Sequence, residues 1–290
     1  MTSSVIEWED DAPGLREPTM IAAFAGWNDA ANAATGALEA IAADFDTKIL
    51  AHIDPEEFFD FQENRPLIRL GERGERIIDW PTISVIGAPV PGADNDLVLL
   101  NAIEPNLKWR TFCDAILDVA ETLGVKRVIT LGALLADVAH TRPVPVSGLA
   151  TEPELADKLG LDVSTYEGPT GIIGVLQDRC SARGIEGLSL WAAVPHYVAA
   201  VPNPKAALAL IRRLEGLSGI AIDGGELEEN SERFEEQINE AINFNPEVGE
   251  MVARIEAEQA TELDFSPDPP SGDEIANEFQ RFLRQRNQDN

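Results

Sequence analysis

Short apolar runs recur along the chain at 19–25 (TMIAAFA), 48–53 (KILAHI), 83–88, 96–100 (DLVLL), 126–131 (KRVITL) and 188–194 (LSLWAAV). Between most of them lie segments with helical periodicity. Strands that are apolar throughout must be covered on both sides, and short helical crossovers supply that cover. The alternation predicts an α/β fold built on a mostly parallel sheet. Helices are expected at about 30–43, 106–122, 152–159, 170–183 and 204–215. Asn28 or Asp29 is placed to cap the first of these, and Asn106 the second. The stretch 54–81 interrupts the alternation and reads as an inserted hairpin with Gly71 to Gly74 at its turn.

After about residue 222 strand signals stop. Residues 226–243 align Leu227, Phe234, Ile238, Ala241 and Ile242 on one helical face, and 247–260 align Val248, Met251, Val252 and Ile255. Ser271 and Glu274 form a capping box for a last helix carrying Ile275, Phe279 and Phe282. The expected division is therefore an α/β body over 1–221 and a helical C-terminal region over 222–290. Residues 221–290 hold 19 acidic and 5 basic residues, a net of −14, about half of the chain's −29.

That charge argues against a phosphate backbone as partner, since nucleic-acid binding needs clustered Lys and Arg. It argues equally against an anionic membrane surface. No apolar run approaches the roughly 20 residues of a membrane span. The first residues, MTSSVIEWEDD, have neither a basic start nor an apolar centre, so no secretory signal is expected, and the setting is cytoplasmic. Cys113 and Cys180 lie far apart without a Cys/His cluster, and are expected as reduced core thiols.

Six loops at the ends of expected strands concentrate residues able to do chemistry. They hold Trp27, Asn28 and Asp29 (GWND); Arg65; Glu104 and Trp109; His140 and Arg142; Glu167 and Thr170; and His196. Ligands of open α/β sheets bind at the carboxyl edge, where these loops are expected. Arg65 could clamp an anion or pair with Asp60 or Glu57. Glu104 could act as a base or favour a helix N-terminus. Trp27, Trp80, Trp109 and Tyr197 would also suit a subunit interface. No GxGxxG or GxxxxGK[ST] phosphate loop occurs, nor a GxSxG elbow, an HExxH motif or an aspartate cluster for metals. No catalytic residue, metal or cofactor is assigned, and the complete catalytic set of an enzyme class is missing.

The same loops carry a resemblance. GWND (26–29), FxxxRP (61–66), EPxxxW (104–109), LGAL followed by HTRPVPV (131–146), YEGPTG (166–171), SLWAAVPHYV (189–198) and PNPKA (202–206) stand in order over about residues 18–215. Together they resemble the family of the second proteasome assembly chaperone, and its bacterial branch most closely. The resemblance implies a three-layer α/β/α sandwich of phosphorylase- or hydrolase-like topology with a small helical C-terminal region. It implies an ATP-independent scaffold without established catalysis, working as a homo-oligomer such as a trimer, with proteasome subunits or another protein as client. The alternative is a small-molecule-binding protein or nucleoside phosphorylase/hydrolase-like enzyme using a loop pocket at the sheet's carboxyl edge. Eukaryotic members dock through a hydrophobic–tyrosine–X ending; Arg286-Asn287-Gln288-Asp289-Asn290 does not show it, so that mode of docking is not expected.

Overall fold

The computed structural model describes residues 5–10 and 14–265. Its first half runs β1 (Ile6–Trp8), β2 (Thr19–Ala25), α1 (Ala33–Asp44), β3 (Lys48–Ile53), β4 (Leu67–Leu70), β5 (Arg76–Asp79), β6 (Ile83–Ala88), β7 (Leu97–Ile103) and α2 (Trp109–Thr122). The second half runs β8 (Arg127–Ala136), β9 (Val146–Ala150), α3 (Pro153–Leu159), β10 (Asp162–Val163), α4 (Ile172–Arg183), β11 (Glu186–Pro195), α5 (Pro204–Ser218), α6 (Gly225–Asn243) and α7 (Pro246–Phe265).

Nine strands form one sheet in the order β1-β3-β6-β7-β2-β8-β11-β9-β10. The centre, β7-β2-β8-β11, is parallel throughout. Antiparallel pairs flank it, β3 and β7 with β6 on one side and β9 with β11 on the other. The centre is where apolar runs are longest, because those strands are buried on both faces. Alternation along β2 shows this directly. Ile21 and Ala23 face a core shared with Leu38 and Ile41 of α1 and Leu210 of α5. Met20, Ala22 and Phe24 face a second core with Phe112 and Ile116 of α2 and Leu176 of α4. Two apolar cores on either side of one sheet make the three-layer α/β/α sandwich.

Three short strands, β1, β9 and β10, lie at the sheet's margins or beside them and were not expected. The first helix also starts later than its periodicity suggests. Ala31 and Asn32 both take left-handed backbone (φ 53° and 51°), and α1 begins only at Ala33. The β4–β5 hairpin stands as its own two-stranded sheet, with Gly71 to Gly74 in its turn. Helix α6 packs on α5, and α7 on α6. Phe234, Val252 and Ile255 of the expected apolar faces are buried. The last expected helix, with Ser271, Glu274, Ile275, Phe279 and Phe282, lies outside the described residues. Among the described residues no helix is long and apolar enough to cross a membrane.

Candidate functional site

The carboxyl edge of the central strands carries two clusters. The first is built where β2 and β7 end. Asp29 is buried, and its Oδ1 accepts the backbone N–H groups of Ala34 (2.7 Å) and Thr35 (3.4 Å). Its Oδ2 accepts the Thr35 hydroxyl. Asp29 thus caps α1 from across the left-handed turn, although it is not adjacent to the helix start. Burial pushes its carboxyl above the ordinary value, against the opposing pull of Thr35 and the two amides. Asp29 serves the fold and is turned away from solvent.

Asn28 is also buried, and its Nδ2 donates to Glu104 Oε1 at 2.9 Å. The same oxygen accepts the N–H of Ile172 at the start of α4, at 2.8 Å. Sequence placed Glu104 near the start of the following helix. The structure spends it on α4 instead, whose first N–H groups lack partners of their own. Gly171 allows this: a Cβ there would stand 2.3 Å from the Asn28 amide nitrogen. Asn106, expected as a helix cap, instead accepts from Asp60 N and Asn64 Nδ2 and donates to Glu63. It pins the loop before the hairpin, and α2 starts after Lys108.

Trp27, Asn28 and Thr170 open onto a cavity of about 600 Å³ between α4, the ends of β8, β9 and β11, and the loop 163–171. Among the described lining residues there is no Lys, Arg or His, and Asp178 is the one carboxylate. Trp191 and Gln177 belong to this cavity and were not singled out from the sequence. Trp191 sits in an apolar run that reads as core, and only the pairing of Trp191 with Gly132 reveals its setting.

The second cluster lies beyond β8. His140 is buried; its backbone N–H donates to Tyr197 Oη (2.9 Å), and its Nδ1 lies 2.8 Å from the same oxygen. Its Nε2 lies 3.1 Å from Asn239 Oδ1 on α6. Lys205 bridges the His140 carbonyl (2.5 Å) and Glu235 of α6 (2.6 Å), and Thr141 donates to Glu256 of α7. His196 stacks edge-on against Tyr197 at 5.5 Å, and its Nδ1 lies 3.0 Å from Asp137. The two histidines therefore flank one tyrosine. Burial holds His140 below the ordinary histidine value, with the Asn239 bond and the Glu235 and Glu256 charges opposing it and Lys205 assisting. A neutral imidazole engaged at both nitrogens is a clasp for the C-terminal helices.

The remaining sequence candidates stand apart from these clusters. Arg65 is exposed beside the hairpin; Glu57 pairs with Lys108 at 3.1 Å, and Asp60 accepts from Gln62, so neither is its partner. Trp109 closes the start of α2 by donating to the Pro105 carbonyl at 2.5 Å. Arg142 and Glu167 are exposed on their loops. No group of three or more potential metal ligands occurs among the described residues.

The profile of the PAC2 family matches residues 23–242. The solved structure of a PAC2 family protein from Streptomyces avermitilis is 47% identical, with a TM-score of 0.75, over 77% of this chain and 95% of that one. A proteasome-assembly chaperone homologue from Mycobacterium tuberculosis is 45% identical, with a TM-score of 0.74, over 81% of this chain and 99% of its own. A second Mycobacterium tuberculosis protein, of unknown function, is 28% identical with a TM-score of 0.82, over 97% of this chain and 96% of its own. No curated protein matches the chain.

Proposed function

The chain belongs to the PAC2 family, and from that membership we propose that it is an ATP-independent interaction protein of the assembly-chaperone type. It acts in the cytoplasm as a homo-oligomer, with proteasome subunits or another protein as client. The 45%-identical assembly-chaperone homologue supports the role.

The observation that carries the reading is the β4–β5 hairpin. An isolated two-stranded hairpin is marginal in water unless its apolar face packs against something. In the register Ile68 opposite Ile78, one face presents Ile68, Leu70 and Ile78, exposed by 56%, 72% and 49%. Such a face calls for cover. Residues 65–79 hold four arginines and three acidic residues, a net of +1 within a chain of net −29. A second copy offers complementary acidic charge, and the sequence after residue 221 is its richest source.

Light scattering on the full chain tests self-association, with Ile68→Glu and Leu70→Glu together as the variant. A defined oligomer that the variant dissociates supports the reading; a monomeric parent protein sinks it. For the client role, purified proteasome α-subunits are incubated with and without the protein. Unchanged ring-formation kinetics would remove the chaperone assignment.

A further inference from the structure

We propose that the 600 Å³ cavity beside α4 binds an uncharged aromatic molecule, which stacks on Trp191. The volume falls within the usual range of small-molecule sites, about 300–1,000 Å³.

Its floor is a preformed stacking surface. A Cβ on Gly132 would lie 2.6, 2.7 and 3.0 Å from three atoms of the Trp191 ring system, so the indole lies face-on over the Gly132 backbone. Its Nε1–H donates to Ser189 Oγ at 3.2 Å, which fixes the ring's rotation. One ring face is thereby held by the sheet, and Trp191 keeps partial exposure on the cavity side. Aromatic faces held this way take flat rings with little ordering cost. Tyr166 and Trp27 add aromatic walls.

The polar groups define the ligand's charge. No cation lines the cavity among the described residues, and Asp178 sits on it. A phosphate or carboxylate would lose hydration with no cation to offset its charge, beside Asp178 and inside a chain of net −29. Gln177 closes the cavity's inner side: its Nε2 is committed to Thr130 and the Leu188 carbonyl, and its Oε1 is buried against the Gly187 backbone, out of a ligand's reach. A neutral flat ring meets the stacking surface without a charge to desolvate, and an anionic one faces Asp178 with no cation beside it.

The test uses matched probes that differ in charge: indole-3-acetamide against indole-3-acetate, and adenosine against adenosine monophosphate. The full chain is labelled with fluorotryptophan, and the Trp191 signal among the five tryptophans is assigned by Trp191→Phe. A neutral probe is expected to shift the Trp191 signal saturably, with its charged counterpart weaker by about tenfold or more. Ser181→Trp, an exposed position on the cavity lining, plugs the cavity without touching the core and is expected to abolish the shift. The proposal is overturned if neither neutral probe moves the signal at millimolar concentration. It is equally overturned if the anionic probes bind as tightly, or if Ser181→Trp leaves binding intact.

Discussion

Glu104, at the end of β7, accepts the backbone N–H of Ile172, the first residue of α4, at 2.8 Å, and so ties two elements 68 residues apart. The bond places a carboxylate at the positive end of α4. It also fixes Asn28 through the same oxygen. Glu104→Ala is expected to destabilise the protein by about 1–2 kcal/mol, the cost of a lost cap plus one orphaned buried amide. Glu104→Gln keeps the acceptor and should lose less than half of that. Urea unfolding of both variants separates the hydrogen bond from the charge.

Asp96 makes the fold acid-sensitive at a definite place. It is 2% exposed and receives the Arg16 guanidinium at 2.6 Å, Arg16 N at 2.7 Å and Val90 N at 2.9 Å. Desolvation pushes its carboxyl up, but these three donors and the Arg16 charge outweigh it and hold the group at about 2. A carboxyl depressed in the folded state contributes stability above its unfolded pKa and loses it as pH falls through the folded one. Asp96→Asn should therefore cost about 1–3 kcal/mol at neutral pH. The gap between variant and parent should close between roughly pH 4 and pH 2. A gap independent of pH would mean that the charge contributes nothing.

His140 follows the same sign at a higher pH, because its folded pKa is also depressed. Its folded pKa lies below the ordinary 6.5 because it is buried. The unfolded chain then binds the proton first, so the clasp is at full strength above that value. It weakens as pH falls through 6.5 toward the folded value. Hydrogen exchange in α6 around Asn239, corrected for intrinsic rates, should rise between about pH 7.5 and pH 5.5. His140→Gln should flatten that dependence. Protection unchanged across the range would show that the imidazole does not hold α6.

How far the sequence carries depends on what each residue faces. The runs TMIAAFA and LSLWAAV announce β2 and β11 because both faces of those strands are buried and no charged residue interrupts them. VSGLA (β9) follows a proline-rich stretch, and β1 and β10 are only three and two residues long. Each of these depends on a neighbouring strand that local pattern does not encode. The candidate residues divide for a related reason. Nine strands at about 4.8 Å spacing make a rim near 40 Å long. Loops that share the rim need not share a site. Asn28 and Glu104 meet because β2 and β7 are adjacent; His140 and His196 meet because β8 and β11 are. Arg65 follows no central strand, and it stands outside both clusters. Trp191 stayed hidden because its significance is the glycine opposite it, five dozen residues away in the chain.

The two cysteines offer a probe of how α2 and α4 open. Cys113 and Cys180 are fully buried on these helices, and burial pushes both thiols up to about 12. For Cys113 the neighbouring Cys180 and Asp114 add to that rise, whereas Arg183 opposes it at Cys180. Only the thiolate reacts with a disulfide reagent, and a closed core also excludes the reagent. Native protein at about pH 8 is therefore expected to show no labelling over hours, and both thiols should react at once in denaturant. Arg179 and Arg183 on α4 bind Asp114 of α2 at 2.5 and 3.1 Å, and Arg183 also reaches Asp118 at 2.7 Å. These ion pairs lash the two helices together, so both cysteines should label with the same rate and the same denaturant dependence. Asp114→Ala cuts the lashing at its shared member. It should speed labelling of Cys113 and Cys180 alike by severalfold while leaving His140 and the C-terminal clasp unaffected. Faster reaction of Cys180 alone would mean that α4 opens independently and that the cavity it borders is gated by that helix.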